Sequence, residues 1–302
     1  MGEVVAAAIV AHQPLIMVPR DLRIRLGETG RDTTLVDPGF RRLREHLARL
    51  GVDTLVIVDS HWFTTSEHVV AGAAHFSGRY TSDEMPQVIH DLAYDYPGAP
   101  DLAQAVAAAA RERSLPVVNA IADSMPRHYP TLNLVHHLHT GERVLSVGVL
   151  QTAGPEHFLA FGQAIAAGVA GVAGTGTDAD TRVAVLGSGG MSHTFWPIDQ
   201  QCGRIALDPS HVISDAARDW DRRILDLWAA GDHAAVVDLY PEYRAVHPEG
   251  LFGHYLTLLG AIGGSECRAP GRQFSEYENA LGTGQVHVVF DLAEAAVRSG
   301  GR

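Results

Sequence analysis

Two short apolar segments of this chain each run out at a histidine. Val4 to Val10, rich in Val and Ala, is followed by Ala11-His12-Gln13-Pro14, and Thr54 to Val58 is followed by Asp59-Ser60-His61-Trp62. A neutral imidazole is the commonest metal ligand and the usual proton shuttle near pH 7, and the chain carries 17 histidines. His12 and His61 lie too far apart to form a local pair like the two histidines of HExxH. They can meet only if their strands are neighbours. A third candidate is Glu249, in His247-Pro248-Glu249-Gly250-Leu251-Phe252-Gly253-His254, just before an apolar stretch. Two imidazoles and one carboxylate on a face form the ligand set of non-haem Fe(II) oxygenases, with positions left for substrate and O2. Each residue also has a plainer reading. Strand ends often carry polar groups, and a Glu ahead of a helix is favoured by the helix dipole. Spacing alone singles out no carboxylate.

His193 closes a glycine-rich turn, Gly187-Ser188-Gly189-Gly190-Met191-Ser192-His193. No Gly-Lys-Ser/Thr follows, so the turn is not a Walker loop, and it does not match the G-x-S-x-G nucleophile elbow. A histidine presented on such a turn can act as acid or base, or it can simply cap or pack. His128 precedes a helix in Arg127-His128-Tyr129-Pro130-Thr131. His136, His137 and His139 follow on that helix, where helical spacing stops all three from facing one point. They read as packing or solvated face.

The elements that must position these residues alternate between strand and helix. Val4–Val10 and Thr54–Val58 read as buried strands. Residues 13–36, punctuated by Pro14, Pro19, Gly27 and Gly30, read as a loop. Asp37-Pro38 predicts a helix start, running through Phe40, Leu43 and Leu47 to Gly51. This gives a βαβ unit with both imidazoles at the carboxyl edge of a sheet, where open α/β folds place their sites. Further strands are expected over 68–74, 117–120, 144–149, 182–186 and 286–290. Helices are expected over 102–113, 130–138, 158–172, 213–230 and 250–262. The stretch 174–178 reads as flexible and 299–302 as a frayed tail. No internal repeat or interdomain linker is visible. The expected fold is therefore one α/β domain over residues 1–302, with a mixed, mostly buried central sheet flanked by helices on both faces.

Bulk composition narrows the function classes. The chain has 302 residues, 46% hydrophobic and 19% charged, enough for a sizeable core. Its formal charge is −12 and it contains no Lys/Arg run, which argues against nucleic-acid binding. Arg20, Arg23, Arg25 and Arg31 form a loose basic stretch, read as solvated loop or as an attractor for an anionic substrate. Two cysteines, Cys202 and Cys267, cannot supply a disulfide framework and suit a reducing cytoplasm. No window is apolar enough to span or enter a membrane.

Several segments together resemble the class III extradiol ring-cleaving dioxygenases, the lineage of protocatechuate 4,5-dioxygenase β-subunits and homoprotocatechuate 2,3-dioxygenases. They are the first strand ending in His12, VDTLVIVDSHWF, HFSGRYTSDEMPQVIHDLAYDYPGAPDLA, the His128-Tyr129-Pro130-Thr131-Leu132 turn, VAVLGSGGMSH, LYPEYRAVHPEGLFGHYLTLLGA and LGTGQVHVVF. They cover nearly the whole chain in the family's order. The resemblance implies Fe(II) held by His12, His61 and Glu249, with His193 as acid/base and His128 as a second pocket histidine. Tyr129-Pro130-Thr131 follows His128 where the family usually has Gly-Thr, and Gln13-Pro14 also departs from the family's pattern. Tyr277, Asn279 and His254 are candidate substrate-binding residues.

The implied reaction inserts both atoms of O2 into a catechol ring and opens it to a semialdehyde. 3,4-Dihydroxyphenylacetate, cut at the 2,3 bond, is the first choice of substrate, and a homo-oligomer is expected. Two other readings remain at this level. One is a non-catalytic binding or signalling relative, which iron content and catechol-dependent O2 uptake would separate. The other is a zinc-dependent hydrolase using the same ligands, which metal analysis after anaerobic purification would separate.

Overall fold

The computed structural model describes residues 2–122, 124–172 and 181–294. Strands β1 (Glu3–Val10), β2 (Thr54–Thr64), β3 (His68–Ala71), β4 (His75–Tyr80), β5 (Leu92–Pro97) and β6 (Val117–Ala120) occupy the first part of the chain. Strands β7 (Arg143–Leu150), β8 (Arg182–Ser188), β9 (Gly271–Gln273), β10 (Glu278–Ala280), β11 (Thr283–Gln285) and β12 (Val288–Phe290) follow. Eight of them form one sheet in the order β6-β3-β7-β2-β8-β1-β12-β9. β1, β8, β2 and β7 run parallel, while β12 and β9 close one side antiparallel. β4–β5 and β10–β11 are separate two-stranded hairpins.

The period-2 geometry of a strand sends alternate side chains to opposite faces. Ala7, Ile9, Val56, Val58, Val183 and Val185 enter one core with helices Pro100–Glu112, Pro155–Gly171 and Gly253–Ala261. Ala6, Ala8, Leu55, Ile57 and Leu186 enter a second core with helices Arg41–Arg49 and Tyr129–Leu138. The mixed sheet is thus buried on both faces beneath helices, as the sequence predicts. Each fully buried Val, Leu or Phe in these layers contributes roughly 2 kcal/mol of apolar transfer.

One close approach seats the helix that follows Glu249. A Cβ on Gly260 would lie 2.1 Å from the Leu159 carbonyl, and one on Gly162 would lie 2.0 Å from the Thr257 carbonyl. Two bare glycines let helices Gly253–Ala261 and Pro155–Gly171 cross backbone to backbone.

Four expectations need correction. β1 and β2 are not adjacent, because β8 lies between them and pairs with both. A βαβ pattern gives a parallel pair and its hand but not which later strand inserts between. Residues 13–36 are not all loop, since helix Arg20–Leu26 lies within them. The helix expected from Asp37 begins at Arg41, because Asp37 is extended (φ −133°, ψ 117°) inside an irregular turn, Leu35–Phe40. The hairpin β4–β5 was not foreseen, for its exposed strands lack an apolar run. The stretch 174–178 and the tail 299–302 lie outside the described residues. No helix among the described residues is long and apolar enough to cross a membrane.

Candidate metal centre

The end of β8 carries the centre of the site, with β1 and β2 delivering one imidazole from each side. His12 follows β1 and is buried, at 3% exposure. Asn133 Nδ2 donates to the His12 carbonyl at 2.7 Å and fixes the backbone there. The Ser188 hydroxyl, at the end of β8, gives its one proton to the Pro130 carbonyl at 3.0 Å. It can therefore only accept from His12 Nδ1, also at 3.0 Å. That assignment puts the ring proton on Nδ1 and leaves the Nε2 lone pair facing the site.

His61 is delivered by a break in the β2–β7 ladder. Asp59 pairs with Gly148 and Phe63 with Val149, so Ser60, His61 and Trp62 bulge out of register. A Cβ on Gly148 would meet the Trp62 carbonyl at 2.7 Å, so the bulge needs a glycine opposite. Asp59 holds the bulge with both oxygens. Oδ1 accepts from the backbone N–H groups of His61 and Trp62, and Oδ2 from Thr131 N and Thr131 Oγ1. His61 Nδ1 donates to Glu84 Oε1 at 2.8 Å, so its Nε2 also faces inward.

Glu249 reaches the site from a strained loop. Its backbone N–H donates to the Met191 carbonyl, and His193 N donates to the His247 carbonyl, so loops 188–193 and 247–249 are tied together. Gly250, Leu251 and Phe252 then take φ of 55°, 56° and 60°. Left-handed backbone costs a non-glycine residue roughly 1–2 kcal/mol, and such strain gathers at functional sites. Ser60 Oγ donates to Glu249 Oε1 at 2.6 Å, and Gly190 N donates to Oε2.

The three side chains converge. Glu249 Oε1 is 3.0 Å from His12 Nε2 and 3.2 Å from His61 Nε2, and the ligand atoms all lie within 4.8 Å of one another. Ligands at about 2.1 Å from a common ion, at right angles, sit about 3 Å apart. The donor set therefore fits one divalent cation on one face, with further positions toward the cavity.

Electrostatics favour a cation here. Burial opposes ionisation of Glu249, yet His12 facing it and the hydrogen bonds to His12 and His61 hold its pKa well below the usual carboxylate range. Burial likewise opposes charge on His61, but hydrogen bonds to Glu249 and Glu84 outweigh it and lift its pKa to about 10. The same lone pair can take a proton or a metal, so the two compete for it.

A cavity of about 340 Å³ opens over two of the three ligands, His12 and Glu249. His12, Glu249, His193, Glu84 and Tyr129 line its polar side, and Leu15, Met85, Phe195 and Leu281 its apolar side. His193 Nε2 lies 3.9 Å from Glu249 Oε2, and burial lowers its pKa, leaving a neutral imidazole beside the site. Ser192, its neighbour, is pinned by Asp221, which also accepts from Tyr243 and Tyr277.

The other candidate residues lie elsewhere. The His128 ring packs 6.3 Å from the Trp62 ring and does not line the cavity. The next residue, Tyr129, does, with its hydroxyl 3.1 Å from His61 Nε2. Tyr277 is held by Asp221, and Asn279 bonds Arg204 O and Gly282 N. His254 is fully buried beneath Gly189. None of these three lines the cavity. His137 stacks on Phe40 and His139 bonds the Glu142 carbonyl, which is packing.

Sequence reasoning missed Asp59, Glu84, Ser188 and Tyr129. Asp59 had a signal, since an Asp two residues before a backbone N–H is an Asx turn. Glu84 had none, because it comes from the loop after β4 and is set by tertiary packing.

Comparison with known proteins adds three findings. A family model described as "Catalytic LigB subunit of aromatic ring-opening dioxygenase" matches residues 6–291. A 3,4-dihydroxyphenylacetate 2,3-dioxygenase of Escherichia coli is 28% identical over 270 residues, covering 87% of this chain and 91% of that protein. The crystal structure of an uncharacterized protein from Escherichia coli K12 superimposes with a TM-score of 0.61 at 16% identity, over 94% of this chain and 99% of that one. At that identity the superposition speaks for the fold alone.

Proposed function

Since the chain belongs to the LigB family of catalytic subunits of aromatic ring-opening dioxygenases, we propose that His12, His61 and Glu249 hold a ferrous ion and that the cavity above them takes a catechol. Residues 1–302 form one catalytic domain in this reading. The observation that carries it is the approach of both imidazole Nε2 atoms to one carboxylate oxygen, at 3.0 and 3.2 Å.

When bound, Fe(II) would supply an electron-rich Lewis acid at which a catechol and O2 can meet. The chain's own residues do the rest. Ser188 and Glu84 hold the imidazoles in the tautomers that present Nε2. Ser60 and Gly190 fix the rotation of the Glu249 carboxylate. His193, neutral because it is buried, is placed to take a proton from a catechol hydroxyl and to return it later as an acid. The Tyr129 hydroxyl, near His61 and Glu84, is a second donor in the same wall. Leu15, Phe195 and Leu281 exclude water around the ring.

The E. coli relative supports a 3,4-dihydroxyphenyl group bearing a short substituent and a cut at the 2,3 bond. The test is an anaerobically iron-loaded protein, mixed in air with substituted catechols. Stoichiometric O2 uptake and a yellow ring-opened product are expected. A fully loaded protein that leaves every catechol intact refutes the reading.

A further inference from the structure

The hairpin on one wall of the cavity carries a leucine where its turn favours a different residue. β10 and β11 pair with Ala280 opposite Thr283, so Leu281 and Gly282 alone make the turn. Their φ angles are 56° and 111°. Positive φ at both central residues is the type I′ hairpin turn, which Asn-Gly fills readily. Leucine is disfavoured there, because in left-handed backbone its Cβ crowds the following carbonyl oxygen.

The surroundings hold the turn in that shape. Leu281 N donates to the Ile205 carbonyl at 2.8 Å, and the Leu281 carbonyl accepts from Trp196 N at 2.9 Å. Gly282 N donates to Asn279 Oδ1 at 2.7 Å, and the Gly282 carbonyl accepts from Ile213 N at 2.8 Å. All four backbone polar groups of the turn are thus paired. A Cβ on Gly282 would lie 2.7 Å from the Thr194 carbonyl, so the turn sits hard against the segment that carries Phe195. Its conformation is set by these neighbours and does not depend on the side chain at position 281.

The core does not use that side chain. Leu281 is half-buried and joins none of the apolar clusters among the described residues. It lines the cavity instead. Phe195, one residue before the Trp196 that bonds Leu281, lines the same cavity and is 51% exposed. Its ring stands edge-on to His193, 4.9 Å between centroids, and it too belongs to none of those clusters. Two apolar side chains that the core leaves unused therefore meet at one wall of the site. Backbone strain enforced by its surroundings gathers where function needs a side chain presented, and apolar linings are what bury a ligand in a concave site.

We propose that Leu281 is a specificity-determining residue, which with Phe195 receives a short alkyl substituent on the ring of the catechol. This deepens the reading of the cavity as a catechol site and rests on it. Each methylene taken out of water is worth roughly fourfold in affinity. A propyl chain covered along most of its length should therefore bind roughly tenfold or more above an unsubstituted ring.

The experiment compares catechol, 4-ethylcatechol and 4-propylcatechol on the wild-type protein and on Leu281→Asn. Binding to the iron-loaded proteins is measured by anaerobic calorimetry, kcat/KM by O2 uptake in air, and stability by urea unfolding without metal. The wild-type protein is expected to bind 4-propylcatechol roughly tenfold or more above catechol, with 4-ethylcatechol between them. Leu281→Asn is expected to shrink that factor to about threefold or less, as the apolar cover is lost. A ratio taken within one protein cancels any change common to both probes. The same variant should unfold at an equal or higher urea concentration, because asparagine tolerates left-handed backbone. Propylcatechol bound no more tightly than catechol by the wild-type protein overturns the proposal, as does a propyl advantage that survives in Leu281→Asn. A lowered urea midpoint in that variant also overturns it, since the leucine would then serve the fold. If the wild-type protein opens all three probes without preference, the ring-cleavage reading stands and this one fails. If the ranking holds anaerobically while no probe is opened in air, the ring-cleavage reading fails and this one stands.

Discussion

Ser188→Ala removes a single oxygen from beneath His12, and the geometry sets the size of the effect. The hydroxyl accepts from His12 Nδ1 at 3.0 Å and donates to the Pro130 carbonyl at 3.0 Å. Ser188 is fully buried and His12 nearly so, so water does not readily replace the lost oxygen. A buried polar group left unpaired costs about 1–3 kcal/mol, so the metal-free protein should lose about 2 kcal/mol of unfolding free energy. The larger consequence is for the metal. With no acceptor at Nδ1, the ring proton is free to move to Nε2 and occupy the ligand lone pair. Loss of such an outer hydrogen bond lowers metal affinity about 10–100-fold, or about 1.4–2.7 kcal/mol. Anaerobic Fe(II) titration against a chromophoric chelator measures this directly. Affinity within twofold of wild type, in a protein of normal secondary structure, would refute the claim that Ser188 fixes the tautomer.

On the proposed reading, His193→Phe should keep metal affinity but lose about 10²–10⁴-fold in kcat, read by metal content and O2 uptake, because only a proton carrier is removed. His61→Ala removes one of the three grouped donor atoms and should lose affinity for a divalent metal, read by the same titration. Gly190→Ala would set a Cβ 2.7 Å from the Gly284 carbonyl and 2.6 Å from Gln285 Nε2, so it should displace the Glu249 anchor and weaken metal binding. Asp221→Asn turns an amide toward the donors of Ser192, Tyr243 and Tyr277, and urea unfolding should show a loss of about 3 kcal/mol. The buried rings of His68, His254 and His287 have pKa values pushed down by burial to about 4, 4 and 3. The unfolded chain binds those protons below about pH 6.5 and the folded chain does not, so stability present above 6.5 is lost as pH falls toward 4. The slope is roughly 1.4 kcal/mol per pH unit for each ring. The opposite shift of His61 acts above pH 6.5 and leaves that window alone. A flat urea midpoint between pH 6.5 and 5 would contradict this.

Sequence reading worked where local pattern decides structure. β1, β2, β7 and β8 are short Val-rich runs, and His12 and His61 stand at or near their ends, so the placement of two of the three candidate ligands on a sheet edge was legible from pattern, while the ligand role came from the family resemblance. Glu249 was not. Its position depends on Leu251 and Phe252 in left-handed backbone, which neither residue type suggests, and only the family resemblance singled it out. Strand order failed for a related reason. The insertion of β8 between β1 and β2 is decided by pairing across the whole chain, and no window of sequence records it. The cavity wall was misread at Tyr277, Asn279 and His254 because proximity in sequence to Gly282-Thr283-Gly284 says nothing about which side chains turn inward.

The insertion of β8 also has a temporal side. During synthesis both imidazoles emerge early, but His12 has no acceptor for its Nδ1 until β8 supplies Ser188 and its flanking turn. The carboxylate comes later still, on a loop that must be tied to that turn. A nascent chain therefore cannot assemble the proposed metal centre piecemeal. The three side chains form a complete seat only after β8 has closed the middle of the sheet and the loop carrying Glu249 has docked on the turn that follows it.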